Sequence, residues 1–297
     1  LRNATPEKIL ELASDNLAAL QQILEWNVAH GIELFRITSD VIPFGSHKIN
    51  KVPWRRLLGT QCGRLGQYIR EKRLRVSMHP GQFTVLNSLR PEVVESSVKE
   101  LHYHAEFLDA LGIDDSHKIV IHLGGIYDDK TQSLSRFIRT YKTLSRRVKA
   151  RLVIENDERC YSIADVLSTA NAIGAPAVFD VFHHRWNPGF QGRSLRSIIQ
   201  MAAGTWRQRD GRAKIHYSNQ WPGKPPGTHS KSISLVRFEE FYRKIDDLDL
   251  DVMLEVKDKE RSLLKIMRAL HTRVRTERDL PRSLLTDGHA AIAQTLH

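Results

Sequence analysis

Short runs of branched apolar residues recur along this chain, separated by helix-length stretches, and nearly every run closes on an imidazole or a carboxylate. The runs are 34–37, 74–79, 118–122, 152–155, 177–180, 213–216 and 252–255. Runs this short and this apolar predict strands buried on both faces, and each lies too far from the next for a hairpin. The stretches between them carry helical spacing. In the first, Ile9, Leu10, Leu17, Leu20, Leu24 and Val28 share one face, Thr5 is placed to cap, Pro6 occupies the first turn and Gly31 stops the helix. Further helices are predicted over about 54–73, 91–111, 131–149, 162–173, 194–207, 235–247 and 259–276. Strands joined by helices pair in parallel, so the repeat predicts an α/β fold. The number of units predicts a TIM-type (β/α)8 barrel lacking its first strand, the absent piece falling ahead of Leu1. An open doubly wound sheet is the alternative, disfavoured because candidate ligands end nearly every strand. Residues 1–276 are read as the barrel domain and 277–297 as a C-terminal extension.

In a parallel barrel the strand ends share one rim, so His79, His122, Glu155, Asp180, His216 and Glu255 are predicted to meet at one mouth. Singly, each has an ordinary reading: a strand-end histidine is usually a hydrogen-bonded core residue, and Glu155 or Glu255 could be half of an ion pair. Together, without a cation, they would be costly to bury, which points to a polynuclear metal site. His183, three residues past Asp180, and His229, in the Gly- and Pro-rich loop after the His216 strand, extend the set beyond one ion. With no cysteine among them, the donors suit Zn, Mn or Fe better than a soft metal. His102 and His104 lie inside a helical pattern without a partner motif and are read as structural.

A formal charge of +11 favours a polyanionic partner. Cys62 and Cys160 are too few for a disulfide framework, so a reducing, intracellular setting is expected: cytoplasm or nucleoid in a prokaryote, nucleus or mitochondrion in a eukaryote. No apolar run approaches the roughly 20 residues that a membrane span needs.

His79-Pro80-Gly81-Gln82-Phe83, with Asn87 just beyond, resembles the signature loop of the ultraviolet damage endonucleases, barrel enzymes that nick DNA beside photolesions. The resemblance continues in order through Gly31–Ile37 with Pro43, His122-Leu123-Gly124-Gly125 with Asp129-Lys130, and Leu152–Asp157. It then runs through Asp180–His184, Lys214–Ser218 and Leu254–Glu260. It implies a metal-dependent endonuclease that cuts damaged double-stranded DNA immediately 5′ to pyrimidine dimers and 6-4 photoproducts, with abasic sites as a further substrate. It also implies three divalent ions, manganese foremost with zinc or magnesium as alternatives. By this likeness His79, His122 and Glu155 hold one ion, Glu155 bridges to a second held by Asp180, His216 and Glu255, and His183 and His229 bind the third. Glu155, Lys214 and Glu255 are the expected catalytic residues; Lys214 occupies the position of a carboxylated lysine, or else is an ordinary charged side chain facing phosphate. Gln82 and Phe83 take the place of a wedge entering the duplex at the lesion, Phe83 offering the apolar face of a Tyr without its hydroxyl. Asn87, Arg185, Trp186, Tyr217 and Lys224 complete the expected DNA contacts of a monomeric protein.

Phosphodiester hydrolysis suits such a centre, because clustered cations lower the pKa of water and neutralise charge on phosphoryl oxygens. An apurinic endonuclease of the same barrel type is disfavoured by Gly227-Thr228-His229, where that family places an Asp two residues before the His. A sugar isomerase or epimerase needs fewer ions. A metal-stabilised DNA-binding barrel without turnover remains the alternative from another class.

Overall fold

Strands of four residues buried at every position, as in Leu34–Ile37, Leu152–Glu155 and Ala177–Asp180, have one face for a barrel interior and one for a helical shell. That is how they are used. The computed structural model describes residues 4–127, 129–278 and 291–295. Its strands are β1 (Leu34–Ile37), β2 (Arg75–Met78), β3 (Ile119–His122), β4 (Leu152–Glu155), β5 (Ala177–Asp180), β6 (Ala213–Tyr217), β7 (Leu250–Leu254) and β8 (Ala291–Thr295). Neighbours pair in parallel in chain order, and β8 pairs with both β7 and β1 to close the barrel. The helices are α1 (Pro6–Ala29), α2 (Trp54–Leu57), α3 (Gly59–Glu71), α4 (Pro91–Ala110), α5 (Lys130–Thr143), α6 (Arg146–Arg151), α7 (Ile163–Ile173), α8 (Val181–His184), α9 (Leu195–Ala203), α10 (Leu235–Tyr242) and α11 (Glu260–Arg278).

The TIM-type barrel expected from the alternation is the fold, and among the described residues no strand precedes α1. The slot between β7 and β1 is occupied by Ala291–Thr295, from the segment read as an extension. The helix expected over 131–149 is two helices: Ser145 accepts from the amide of Val148, capping a new helix and ending the old one. No described helix is long and apolar enough to cross a membrane.

At the amino ends of the strands, Arg75 pairs with Asp251, and buried Lys118 donates to Asp210 at 2.6 Å. These pairs close the floor and leave the opposite rim to the ligands. The shell is tight where α3 crosses the end of α4. Gly66 is buried there, and a Cβ on it would fall inside the van der Waals radius of the Leu111 carbonyl. Because that neighbour is backbone, it has no rotamer to give. Gly66→Ala is therefore expected to destabilise the protein by about 1–3 kcal/mol or more, read as a lowered midpoint in urea melts. An unchanged midpoint would show that the two helices separate freely.

Candidate metal centre

Strand register brings the ligands together. His122 lies opposite Glu155 across β3 and β4, and Asp180 opposite His216 across β5 and β6. His79 and Glu255 follow directly on the ends of β2 and β7. Glu155, 1% exposed, stands between two groups of partners. Its Oε2 lies 3.2 Å from His79 Nε2 and 3.7 Å from His122 Nε2, while its Oε1 accepts from His216 Nδ1. His216 Nδ1 is also 3.2 Å from Glu255 Oε1. A carboxylate whose two oxygens face two donor sets could serve a cation on either side.

Among the described residues, three groups have ligand atoms all within 4.8 Å of one another: His79, His122 and Glu155; Glu155, Asp180 and His183; and Glu155, His216 and Glu255. Every group contains Glu155. Hydrogen bonds to backbone orient the imidazoles, since a carbonyl only accepts. His79 Nδ1 donates to Pro80 at 3.0 Å, His183 Nδ1 to Asn156 at 3.0 Å, and His229 Nδ1 to Glu255 at 3.1 Å. Each bond fixes the tautomer and leaves Nε2 with its lone pair for a metal. Asp180 Oδ2 is buried with no hydrogen-bond partner, a cost rarely left standing unless a further group completes the site. The donors therefore fit divalent cations.

The electrostatics agree. Burial would raise the Glu155 carboxyl, but the imidazoles of His216 and His122 hold it well below the usual range. Burial likewise opposes ionisation of Glu255, and Arg36 and His216 overcome it. Asp180 is pushed by burial up to about 7, the His183 imidazole offsetting that only in part. His183 is carried up to about 9, because Asp180, Glu155 and Glu255 outweigh the burial that would lower it, so in the metal-free cluster its Nε2 carries a proton that a cation would displace. Burial takes His216 down to about 4 and lowers the Lys214 ammonium well below its ordinary value. The result is a paired cluster, in which the Glu155 and Glu255 carboxylates face the Arg36 guanidinium and the His183 imidazolium.

Two supports escaped the sequence reading. Arg36, 2% exposed on β1, places Nη2 2.7 Å from Glu255 Oε1 and 3.0 Å from His216 Nε2. A charged residue inside a run of buried apolar ones was the available signal. His104, read as structural, is buried with Nε2 2.9 Å from Ser39 Oγ, and Ser39 Oγ donates to the His79 carbonyl at 3.2 Å. It braces a candidate ligand from behind, and nothing in its helical pattern marks that.

Around the mouth, Phe83 is 82% exposed beside exposed Gln82. Beneath that loop a cavity of about 230 Å³ opens onto His79, His122 and Gly124. Arg185 stacks over Trp186 with 5.6 Å to the ring centroid, and Lys224 over Trp221 with 5.8 Å. The expected DNA contacts at Asn87 and Tyr217 are corrected by burial. Asn87 donates to the Gly125 carbonyl at 2.7 Å and to Tyr161 Oη at 3.2 Å, fastening two loops. Tyr217 packs among Phe238 and Phe241, and its hydroxyl accepts from Asn219. Neither offers a surface to a duplex.

The chain is 43% identical over 271 residues to the UV DNA damage endonuclease of Clostridium perfringens (strain 13 / Type A), an alignment covering 91% of this chain and 66% of that protein. It thus spans just under two thirds of that relative's length. The crystal structure of SacUVDE superposes with a TM-score of 0.87 at 42% identity, covering 92% of each chain. The crystal structure of endonuclease IV from Thermus thermophilus superposes at 0.57 with 14% identity, covering 85% of this chain and 94% of that one, and shows the shared fold alone. The family description UV-endonuclease UvdE matches residues 2–280, and with the barrel and its converging ligands already in place, the chain belongs to that family.

Proposed function

We propose that this protein is a metal-dependent endonuclease that hydrolyses the phosphodiester immediately 5′ to pyrimidine dimers and 6-4 photoproducts, and also acts at abasic sites. The observation that carries the metal-dependent reading is the convergence of three overlapping donor groups on Glu155. We assign His79, His122 and Glu155 to one ion, Glu155, Asp180, His216 and Glu255 to a second, and His183 and His229 to a third. Manganese suits these nitrogen and oxygen donors, with zinc and magnesium as alternatives. When bound, such ions supply a nucleophile at neutral pH and neutralise charge on the phosphoryl oxygens.

The chain's own residues do the rest. Glu155 and Glu255 hold the centre together, and Arg36 fixes Glu255 and His216. Burial favours a neutral Lys214 amine, the form that reacts with carbon dioxide to give a carbamate and a proton. Phe83 and Gln82 enter the stack at the lesion, where damage has already reduced the few kcal/mol that unstacking costs. Arg185 and Lys224 meet phosphates while Trp186 and Trp221 stack on splayed bases. The protein works on DNA as a monomer, in a DNA-containing compartment.

The test maps nicks on end-labelled duplexes carrying one pyrimidine dimer, one abasic site or no damage, with Mn²⁺ present. A cut directly 5′ to the dimer and none on the intact duplex is expected. Phe83→Ala should weaken the preference for the dimer by about tenfold while leaving metal content unchanged, in line with roughly 1–3 kcal/mol per lost stacking contact. Cleavage confined to the abasic duplex would replace this reading with an apurinic one, and metal uptake without any nick would remove turnover from it.

A further inference from the structure

We propose that Glu158 is the carboxylate ligand of the third ion, alongside His183 and His229. The proposal rests on the trinuclear reading above. Two imidazoles alone leave an ion short of the four or more donors that zinc or manganese takes. The loop bearing His229, residues 221–230, contains no Asp or Glu. Asp180 approaches His183 on its Nδ1 edge, at 3.7 Å, the edge that already donates to Asn156. Glu158 lies on the other edge, with Oε2 3.8 Å from His183 Nε2. Two donors on one tetrahedral ion at about 2.1 Å stand about 3.4 Å apart, so little movement is needed for both to share it.

The His229 loop makes room for this carboxylate. Gly227, at φ 83°, lies against the Glu158 side chain, and a Cβ there would stand 2.8 Å from Glu158 Cγ. The loop therefore carries no side chain where the Glu158 stem crosses it. The other carboxylate oxygen is 3.5 Å from Arg159 Nε, but Arg159 is 79% exposed, and a pair so open to water contributes little to holding Glu158 in place. The His183 and His229 rings are nearly perpendicular, with centroids 5.7 Å apart. This set is not among those whose donors all fall within 4.8 Å, and it lies nearer solvent, so its ion is the weakest bound of the three.

Equilibrium dialysis of the full chain against Mn²⁺, followed by metal analysis, tests the assignment. The parent is expected to take up three equivalents, two tightly and one weakly. Glu158→Gln should keep the two tight equivalents and weaken the third at least tenfold, and adding His229→Ala should abolish that weak equivalent while leaving the two tight ones. Three equivalents with unchanged affinity in Glu158→Gln would overturn the role of Glu158 while leaving the trinuclear reading intact. Two or fewer in the parent would overturn both. Loss of more than one equivalent in Glu158→Gln would also reject the assignment, because the residue would then serve the shared cluster.

Discussion

Replacing Glu155 with Gln is expected to cut nicking of a damaged duplex by about 10³-fold or more, above the roughly 10–100-fold that losing an outer partner of a metal site costs. The reason is geometric as well as electrostatic. Glu155 Oε2 faces His79 and His122, and its Oε1 faces His216. An amide keeps the shape but must turn its NH₂ toward one of these sets, presenting a donor where a cation needs an acceptor. One ion site loses its ligand outright, and the other loses the charge that draws it. The fold should survive, because a buried neutral amide costs less to desolvate than a buried carboxylate and its neighbours are unchanged. The variant is thus expected to melt like the metal-free parent, to bind fewer ions and to leave damaged duplexes uncut. Nicking within tenfold of the parent would show that the centre does not depend on a bridging carboxylate.

The barrel was legible because parallel strands buried on both faces leave a plain trace, and because six of the seven runs close on a residue that a core would otherwise avoid. The donors were legible for the same reason: His122 and Glu155 are neighbours through strand register, which follows once the strands are aligned by their ends. What failed had a local cause. Ala291–Thr295 matches the other strands in length, but Ala-Ile-Ala-Gln-Thr lacks their branched apolar content and their closing imidazole or carboxylate, and only the gap between β7 and β1 selects it. Asn87 and Tyr217 sit within motifs that hold surface residues too, and sequence cannot show which side chains turn inward to hydrogen-bond or stack. Arg36 and Glu158 act across elements far apart in the chain, where spacing carries no information.

Arg36→Met should destabilise the metal-free protein by about 3–5 kcal/mol, the usual cost of removing one member of a buried ion pair. Methionine fills similar space, so the loss reads on charge. Without the guanidinium, Glu255 keeps a carboxylate in a site that burial already disfavours, and His216 Nε2 loses its donor. Divalent ions bring replacement charge to the same carboxylate. Their addition should therefore raise the melting temperature of Arg36→Met more than that of the parent, as linkage requires when binding relieves a penalty specific to the variant. Thermal melts of both proteins, with Mn²⁺ and with a chelator, measure this difference. An equal loss in both conditions would make Arg36 a packing residue with no tie to the metal centre. The double variant Arg36→Met/Glu255→Gln supplies the cycle: removing the stranded charge should recover stability in the chelated protein, so the two changes together cost less than their sum. If they simply add, the guanidinium is not the counter-charge that holds Glu255 ionised before metal arrives.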